Sequence, residues 1–525
     1  MIRLSDYLDQ EPLAKIARER RQALQAAEGR QKRRFQAAKL NRLNADWTTQ
    51  PYGANWLLYR DLAVLRARAR EMAKNAPHFA KFLNMAERNV VGHQGIRLQC
   101  RALTGRPPHP NTRLNKMVEH EWWMWSHAEH CSASGKLSLV AAQKLFIRQL
   151  IRDGEVLVEH VQAANPFGYA LKFWNVDWLD ETYNEDLPSG NRVIMSVEIN
   201  EHGRPVAYWL TTPASEMQFT KKRVRTRTRI PAERMTHAFL TGEDESQTRG
   251  VTWFHAALLP GKGDAKYTGA VIESAAMTAM SGGFFTKQSP DGVEFTGDDG
   301  DGEPDLTIDH QPAAFHMLPE GWDFKQFDPK QPTQNHAEFR RSMLLDIAAA
   351  FDVCGFSLAG DLSAVNYSSA RVGLGEERDV WRGLQTVAAE FLRTVFHKWL
   401  LATVAAGRLQ ISPRDYLELQ NPEFKPRGWR YVDPHKEITA NLAAITGGIA
   451  TVTSILSEQG IDLEDFLDEK QREMEMYKKA GIPYPSAPEP AAANGSDTDE
   501  DDEDDDATPP EKEGERGYVN GKYAN

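Results

Sequence analysis

Residues capable of chemistry are densest between His120 and Cys131, where His120, Glu121, His127, His130 and Cys131 are all metal-ligand types. On one continuous helix His127 and Cys131 would stand a turn apart on the same face. His120-Glu121 opens like the HExxH of zinc hydrolases, but Met124 stands where the second histidine is required. Trp122, Trp123 and Trp125 crowd the same stretch, so a packed amphipathic helix is the simpler account and no metal is expected. Nucleotide chemistry finds no better support. Gly261-Lys262 has Ala256 in place of the leading glycine of a phosphate loop and Gly263 instead of Ser or Thr after the lysine; Gly135-Lys136 fails alike, between His130 and Leu137. Without the glycine-rich turn and the hydroxyl for magnesium, neither string can cradle a nucleotide. Gly355-Phe356-Ser357-Leu358-Ala359 misses the GxSxG elbow because Ala359 replaces the second glycine. Arg223, Arg225, Arg227 and Arg229 would align on one face of a strand, where they suit phosphates, solvent or an acidic neighbouring subunit. No catalytic set and no cofactor site emerges, so the chain is not expected to be an enzyme.

The elements that would hold these residues follow from apolar spacing. Trp56 to Val91 is helical by pattern, closed by Gly92 and Gly95, with a strand over Ile96–Cys100. Two helices are predicted at 114–131 and 138–152, joined at Gly135. Strands follow at 155–161, 169–176, 193–199, 206–211 and 223–230, with turns at Asp153-Gly154 and Glu201-His202-Gly203. Helix returns at 264–281, where Pro260, Gly261 and Gly263 are expected to interrupt any longer run from Trp253. The Gly/Asp/Pro-rich stretch 286–333 has short strands at most, around Val293–Phe295 and Asp323–Phe327. Asn335 with Glu338 forms a plausible capping box, and Phe339, Met343, Ile347 and Phe351 then fall on one helical face. After a polar loop at 355–367, Ser368 or Ser369 is expected to cap a long helix to about Ala406, with a stripe of Val380, Leu384, Val387, Phe391, Val395 and Trp399. A smaller mixed segment and helices at 435–457 and 462–480 complete the ordered chain.

A chain of 525 residues implies several compact units, and 41% hydrophobic residues suffice for real cores. The net charge of −11 is concentrated at one end: residues 481–525 carry thirteen acids against three bases, leaving the other 480 residues near neutral. Low apolar content makes that tail a predicted disordered segment. Residues 1–46 carry eleven bases against six acids and are predicted to form an exposed helical arm. No apolar run approaches a membrane span or the core of a signal peptide, and three cysteines without a CxxC argue for a reducing cytoplasm.

Several strings, in order, carry a family resemblance. They are Arg34–Ala38, Arg60-Asp61-Leu62, Arg66-Ala67-Arg68, Asn75-Ala76-Pro77, Asn89–Gly92, Arg152–Glu155, Val197–Pro205, Arg229–Arg234 and Gln247–Val251. The most specific runs Gly360-Asp361-Leu362-Ser363-Ala364-Val365-Asn366-Tyr367-Ser368-Ser369-Ala370-Arg371. Together they span roughly 33–410, and this region resembles the portal proteins of tailed bacteriophages, the phage lambda-like portal family.

The resemblance implies an α+β portal fold with a β-rich wing, helical stem, small clip and helical crown, assembled as a ring, usually of twelve copies. It assigns 1–46 to a basic helical N-terminal arm, 47–250 to the wing, 251–285 to the first stem helix region and 286–333 to the clip. Residues 334–354 become the second stem helix, 355–367 the tunnel loop, 368–434 the long helix and the return to the wing, 435–480 the crown, and 481–525 the acidic tail. Ser357, Asp361, Ser363 and Asn366 of the loop, with Arg340 and Arg341 of the second stem helix, would then face the DNA channel. The implied partners are further copies of the chain, double-stranded DNA without sequence preference, the terminase large subunit, the head-tail adaptor, and the major capsid and scaffolding proteins. The implied location is the portal vertex of the virion, after assembly in the host cytoplasm. A near-neutral body suits a conduit, because phosphate contacts dominate DNA affinity and many of them would hold the DNA fast. Two readings from other classes are a terminase-like DNA-packaging enzyme, against which the missing phosphate loop weighs, and a virion ring protein without DNA contact.

Overall fold

The computed structural model describes residues 51–105, 109–212, 226–242, 244–279, 283–287, 322–326, 335–363, 365–429, 434–461 and 463–484, with positions 15 and 18–21 of the N-terminal arm. Most of 286–333, including Val293–Phe295, lies outside the described residues, as do Arg223, Arg225 and the acidic tail beyond Tyr484. The chain divides into two compact units, Met1–Gly460 and Ile461–Asn525.

The first unit opens with α1 (Ala54–Asn75) and α2 (Pro77–Ala86), which Pro77 separates, and a π turn at Glu87–Val91 ends at Gly92. Next come β1 (Arg97–Gln99), β2 (Leu103–Thr104), β3 (His109–Pro110), α3 (Thr112–Trp125), a short α4 (Ala128–Cys131) and α5 (Leu139–Asp153). The predicted helix 114–131 is thus two pieces, since Ser126 closes α3 and His127 starts α4 in extended conformation. Gly154 ends α5 with a φ of 86°, packed so tightly on the Val251–Thr252 backbone that no Cβ would fit. From that turn β4 (Glu155–Gln162) enters the centre of a three-stranded sheet, between β5 (Tyr169–Trp174) and β11 (Met235–Phe239), both antiparallel to it. A five-stranded meander carries β6 (Glu185–Asp186), β7 (Arg192–Ile194), β8 (Val197–Ile199), β9 (Pro205–Thr211) and β10 (Arg227–Pro231).

The predicted strand 193–199 is in fact a hairpin, turning at Met195 and Ser196 with φ of 47° and 69°. Neither residue favours the left-handed region, so no turn signal stood in the sequence. Tertiary bonds hold the turn instead: Met195 N–H donates to Asn184 Oδ1 (2.9 Å), Ser196 N–H to the Tyr183 carbonyl (3.0 Å), and Ser196 Oγ to the Asp180 carbonyl (2.8 Å).

Helix α6 (Leu258–Ala279) runs unbroken through Pro260, Gly261 and Gly263, contrary to the expected interruption. Pro260 is the third helical residue, where the backbone N–H has no acceptor within the helix, so the ring costs no hydrogen bond. Gly261 is there for space, because a Cβ would run into the Phe79 ring. Strands β12 (Gly283–Lys287) and β13 (Trp322–Gln326) pair antiparallel, with 288–321 between them in the chain. Helix α7 (Asn335–Phe351) follows, then α8 (Gly355–Ala359) and the 39-residue α9 (Tyr367–Ala405). The cap of α9 is Asn366, not Ser368 or Ser369: Asn366 Oδ1 accepts from Ser369 N–H at 2.8 Å. The buried stripe of α9 keeps Leu384, Phe391, Val395 and Trp399 and adds Trp381, Leu392 and Phe396, whereas Val380 and Val387 are only half-buried. One main core joins α1, α2, α5, α9 and β4. Its aromatic centre has Phe82 stacked on Phe351 (4.4 Å, 15°), with Phe79 edge-on to Phe351 (5.0 Å) and Phe254 (4.9 Å). Each such ring contributes roughly 1.5–3 kcal/mol by burial. The unit closes with α10 (Pro413–Glu418), β14 (Glu423–Lys425) paired to β1, α11 (Pro434–Thr446) and α12 (Val452–Glu458). In the second unit α13 (Leu463–Ala480) is the main element. Among the described residues no helix is long and apolar enough to cross a membrane.

Candidate functional site

The segment from α7 through α8 to the start of α9 holds every residue singled out for the channel. Its base is rigid. Ile347 and Phe351 anchor the C-terminal half of α7 in the core, Met343 is half-buried, and Phe339 is 48% exposed with its ring edge-on to Tyr267 of α6 (4.9 Å). α7 ends at Asp352, in the left-handed region at a φ of 58°. Cys354 then caps α8, and its N–H donates to the buried Glu377 carboxylate of α9 (3.3 Å). Within α9, Glu377 also accepts from Trp381 Nε1 at 3.2 Å, which holds the carboxylate that the α8 cap bonds.

The polar loop predicted at 355–367 is therefore half helix. Ser357 sits half-buried within α8, beside the fully buried Leu358. Only Gly360 onward is open chain: Gly360 takes a φ of 76°, and Asp361 Oδ1 accepts from Ser363 N–H (3.0 Å) and Ser363 Oγ (2.6 Å). Those bonds hold the exposed Asp361 carboxyl below the ordinary range. Leu362 is 67% exposed at the tip. The two arginines part company. Arg340 Nε lies 3.7 Å from Asp264 of α6, whereas Arg341 is exposed. Burial pushes the nearby His78 imidazole below its ordinary value, with Asp264 opposing and Arg340 adding to the shift. A cleft of about 760 Å³ opens between α7 and the loop, with Leu344, Leu345 and Phe356 among its apolar walls and Arg340, Arg341, Glu338 and Asp361 among its charges.

The ligand cluster of 120–131 does not come together. His127 Nδ1 lies 3.1 Å from the Met124 carbonyl, and burial pushes the Cys131 thiol up to about 12, so it is no thiolate ligand at neutral pH. Among the described residues no group of three His, Cys, Asp or Glu side chains could hold a metal. On β10, Arg229 is spent on Glu198 (2.8 and 3.0 Å), and the Arg227 guanidinium lies 4.1 Å from the Tyr183 ring centroid.

A larger feature escaped the sequence. Arg249 is fully buried and forks onto Glu155 (2.8 and 2.6 Å), while Arg66 Nη1 (3.0 Å) and His237 Nε2 (2.9 Å) reach the same carboxylate. Arg66 also pairs with Asp177 (2.9 Å) and Glu181. Arg249 Nη1 donates to the carbonyls of Met195 (3.0 Å) and Leu179 (3.2 Å), so it also holds the left-handed hairpin turn. Burial alone would raise the Glu155 pKa, but the Arg249 charge and hydrogen bonds, with His237, hold it far below the carboxylate range. Three strings quoted above, at 66–68, 152–155 and 247–251, meet in this one network.

A profile described as phage portal protein, lambda family, matches residues 40–385. The chain belongs to the lambda family of phage portal proteins. All the portal-family strings quoted above except Arg34–Ala38 fall inside that match. A curated portal relative, the "Probable portal protein" of Halomonas phage phiHAP-1, is 33% identical over 460 residues, covering 86% of this chain and 88% of that protein. Family membership makes this portal protein a structural component of a phage particle. Among solved structures, the fold is similar to a chain in the neck of the empty GTA particle computed with C6 symmetry, at 16% identity and a TM-score of 0.43 over 79% of this chain and 97% of that one. A chain in the neck of the native GTA particle computed with C12 symmetry gives 15% identity and a TM-score of 0.43 over 77% and 94%.

Proposed function

We propose that this portal protein forms the ring-shaped channel at one capsid vertex, through which double-stranded DNA is packaged and later ejected. Membership of the lambda portal family is the observation that carries this reading. The ring is proposed to hold twelve copies, with 47–250 and 406–434 as its wing, the α6 and α7 regions as its stem, 286–333 as its clip and 435–480 as its crown. The clip would dock the terminase large subunit and then the head-tail adaptor, while the major capsid and scaffolding proteins would surround the wing. Assembly would take place in the host cytoplasm. The side-by-side packing of α6 and α7, through Tyr267–Phe339 and Asp264–Arg340, supports a paired stem. The exposed Asp361–Ser363 tip between α8 and α9 supports a tunnel loop that changes shape without unfolding either neighbour. Electron microscopy of the purified full chain in negative stain should show rings with a central hole, and the same sample should not hydrolyse ATP. A homogeneous monomer at both low and high salt, or intrinsic ATP turnover, would overturn the proposal.

A further inference from the structure

We propose that an arginine cluster around Trp429 is a docking site for the phosphate backbone of double-stranded DNA. It rests on the channel reading only for the source of the DNA. Three guanidiniums surround one indole: Arg382 at 5.6 Å, Arg378 at 5.8 Å and Arg427 at 5.9 Å from the ring centroid. Arg88 adds a fourth cation whose charge acts on Arg427: its carbonyl accepts from Arg427 Nη1 at 2.8 Å, and its Nε donates to the Asn84 carbonyl at 3.2 Å. Among the described carboxylates only Asp379 pairs with any of the four, at 2.7 Å from Arg382. Burial first, and then the charges of Arg378 and Arg88, make the Arg427 guanidinium easier to deprotonate than usual.

The crowding is built in. Gln385, itself buried, donates through Nε2 to the carbonyls of both Asn89 (3.1 Å) and Arg427 (3.0 Å). Trp429 Nε1 donates to Asn89 Oδ1 at 3.1 Å, and a Cβ at Gly428 would strike the Gln459 backbone. The loop is thus locked in the position that brings the guanidiniums together. Like charges held at such range repel; the Trp429 ring face offsets part of that repulsion, and an arriving anion would relieve the rest.

The shape of the basic surface selects the anion. An open groove of about 560 Å³ continues from Arg88 to Lys81, whose ammonium lies against Gly360 at the start of the loop. The basic line therefore runs from the proposed tunnel loop to Trp429, which fits an extended polymer of regularly spaced charge. A peptide docking through an apolar hot spot would need a pocket for its anchor. The groove offers Pro77 and Ala80 beside Asn84 and Glu87, and no such pocket. Planar guanidinium forks match phosphate oxygens, and phosphate contacts alone bind a duplex.

The test is binding of a short labelled duplex to full-length rings, followed by anisotropy between about 50 and 200 mM salt. R378A/R382A is expected to weaken binding about 10-fold or more at low salt and to flatten the log–log salt slope by about 2, near 0.9 for each lost phosphate contact. R378K/R382K, which keeps the charge, should retain most of the slope. Unchanged affinity and slope in a double variant that still forms rings would overturn the proposal. So would loss of a polyaspartate probe with duplex binding intact, which would make the cluster a peptide site. If the double variant fails to assemble, R382A, whose side chain is 55% exposed, gives the same reading with a slope change of about 1. Absence of rings from the wild type would sink the channel reading instead, and the slope comparison would still decide the fate of the cluster.

Discussion

Glu155 is the hub of a buried polar network, because Arg249, Arg66 and His237 all converge on it. The network joins α1, β4, β11 and the segment before α6, so its loss loosens several elements together. Replacing one partner of a buried pair leaves the other charge uncompensated, at a cost of about 3–5 kcal/mol. Arg249→Ala is therefore expected to destabilise the chain on that scale, read from urea unfolding by tryptophan fluorescence, and to free the Met195–Ser196 turn. The pH dependence has a definite sign. The Glu155 pKa is depressed in the folded state, so its contribution is complete above the unfolded value of about 4.3 and is lost as pH falls toward the lower folded value. Asp177 acts in the same direction: burial would raise it, but Arg66 and Arg70 lower it. Wild-type melting temperature should fall steadily below about pH 4.3. A flat profile from pH 7 down through that range would show that the network contributes nothing of the kind.

The pairing of α6 with α7 separates two neighbouring arginines that look equivalent in the sequence. Arg340 faces Asp264, whose Oδ1 is buried and has no hydrogen-bond partner, while Arg341 is exposed. Arg340→Ala would leave that carboxylate without its nearest cation and is expected to cost about 1–3 kcal/mol. Arg341→Ala should stay within about 0.5 kcal/mol and, if the residue lines the channel, should alter genome retention while rings form normally. Equal thermal stability of the two variants would refute this division. The loop has a similar division. Leu358 is buried, so the removable part begins beyond α8. Deleting residues 361–364 should allow rings to assemble and reduce the yield of DNA-filled particles in a complementation assay. Normal yields of full infectious particles would end the role proposed for the loop.

For the molecule as a whole, charge distribution matters more than net charge. The body is close to neutral, and the thirteen acids of 481–525 account for nearly all of the excess. Like charge would keep DNA from adhering to such a tail, over a reach of about 8 Å per charge at physiological salt. Truncation after Ala480 should leave ring formation intact and slow or truncate DNA entry at low salt. Packaging that is normal across salt concentrations would reduce the tail to a solubilising appendage, and failure of the ring would give it an ordered role.

The sequence by itself determined the local elements whose signals are local. The four-residue spacing of Phe339 to Phe351 placed α7, Asp153-Gly154 placed the turn into β4, and Glu201-His202-Gly203 placed the turn between β8 and β9. The absence of a phosphate loop and the ordered family strings were legible in the same way, since both are statements about residue order. Tertiary structure alone decided what depends on neighbours distant in the chain. The Met195–Ser196 hairpin has no glycine and exists because Arg249, Asn184 and Tyr183 bond its backbone. Helix α6 passes through Gly261 because Phe79 fills the space a side chain would need. The gathering of Arg88, Arg378, Arg382 and Arg427 was equally hidden, because those positions span more than three hundred residues and meet only where the π turn, α9 and the strand exit after β14 pack together.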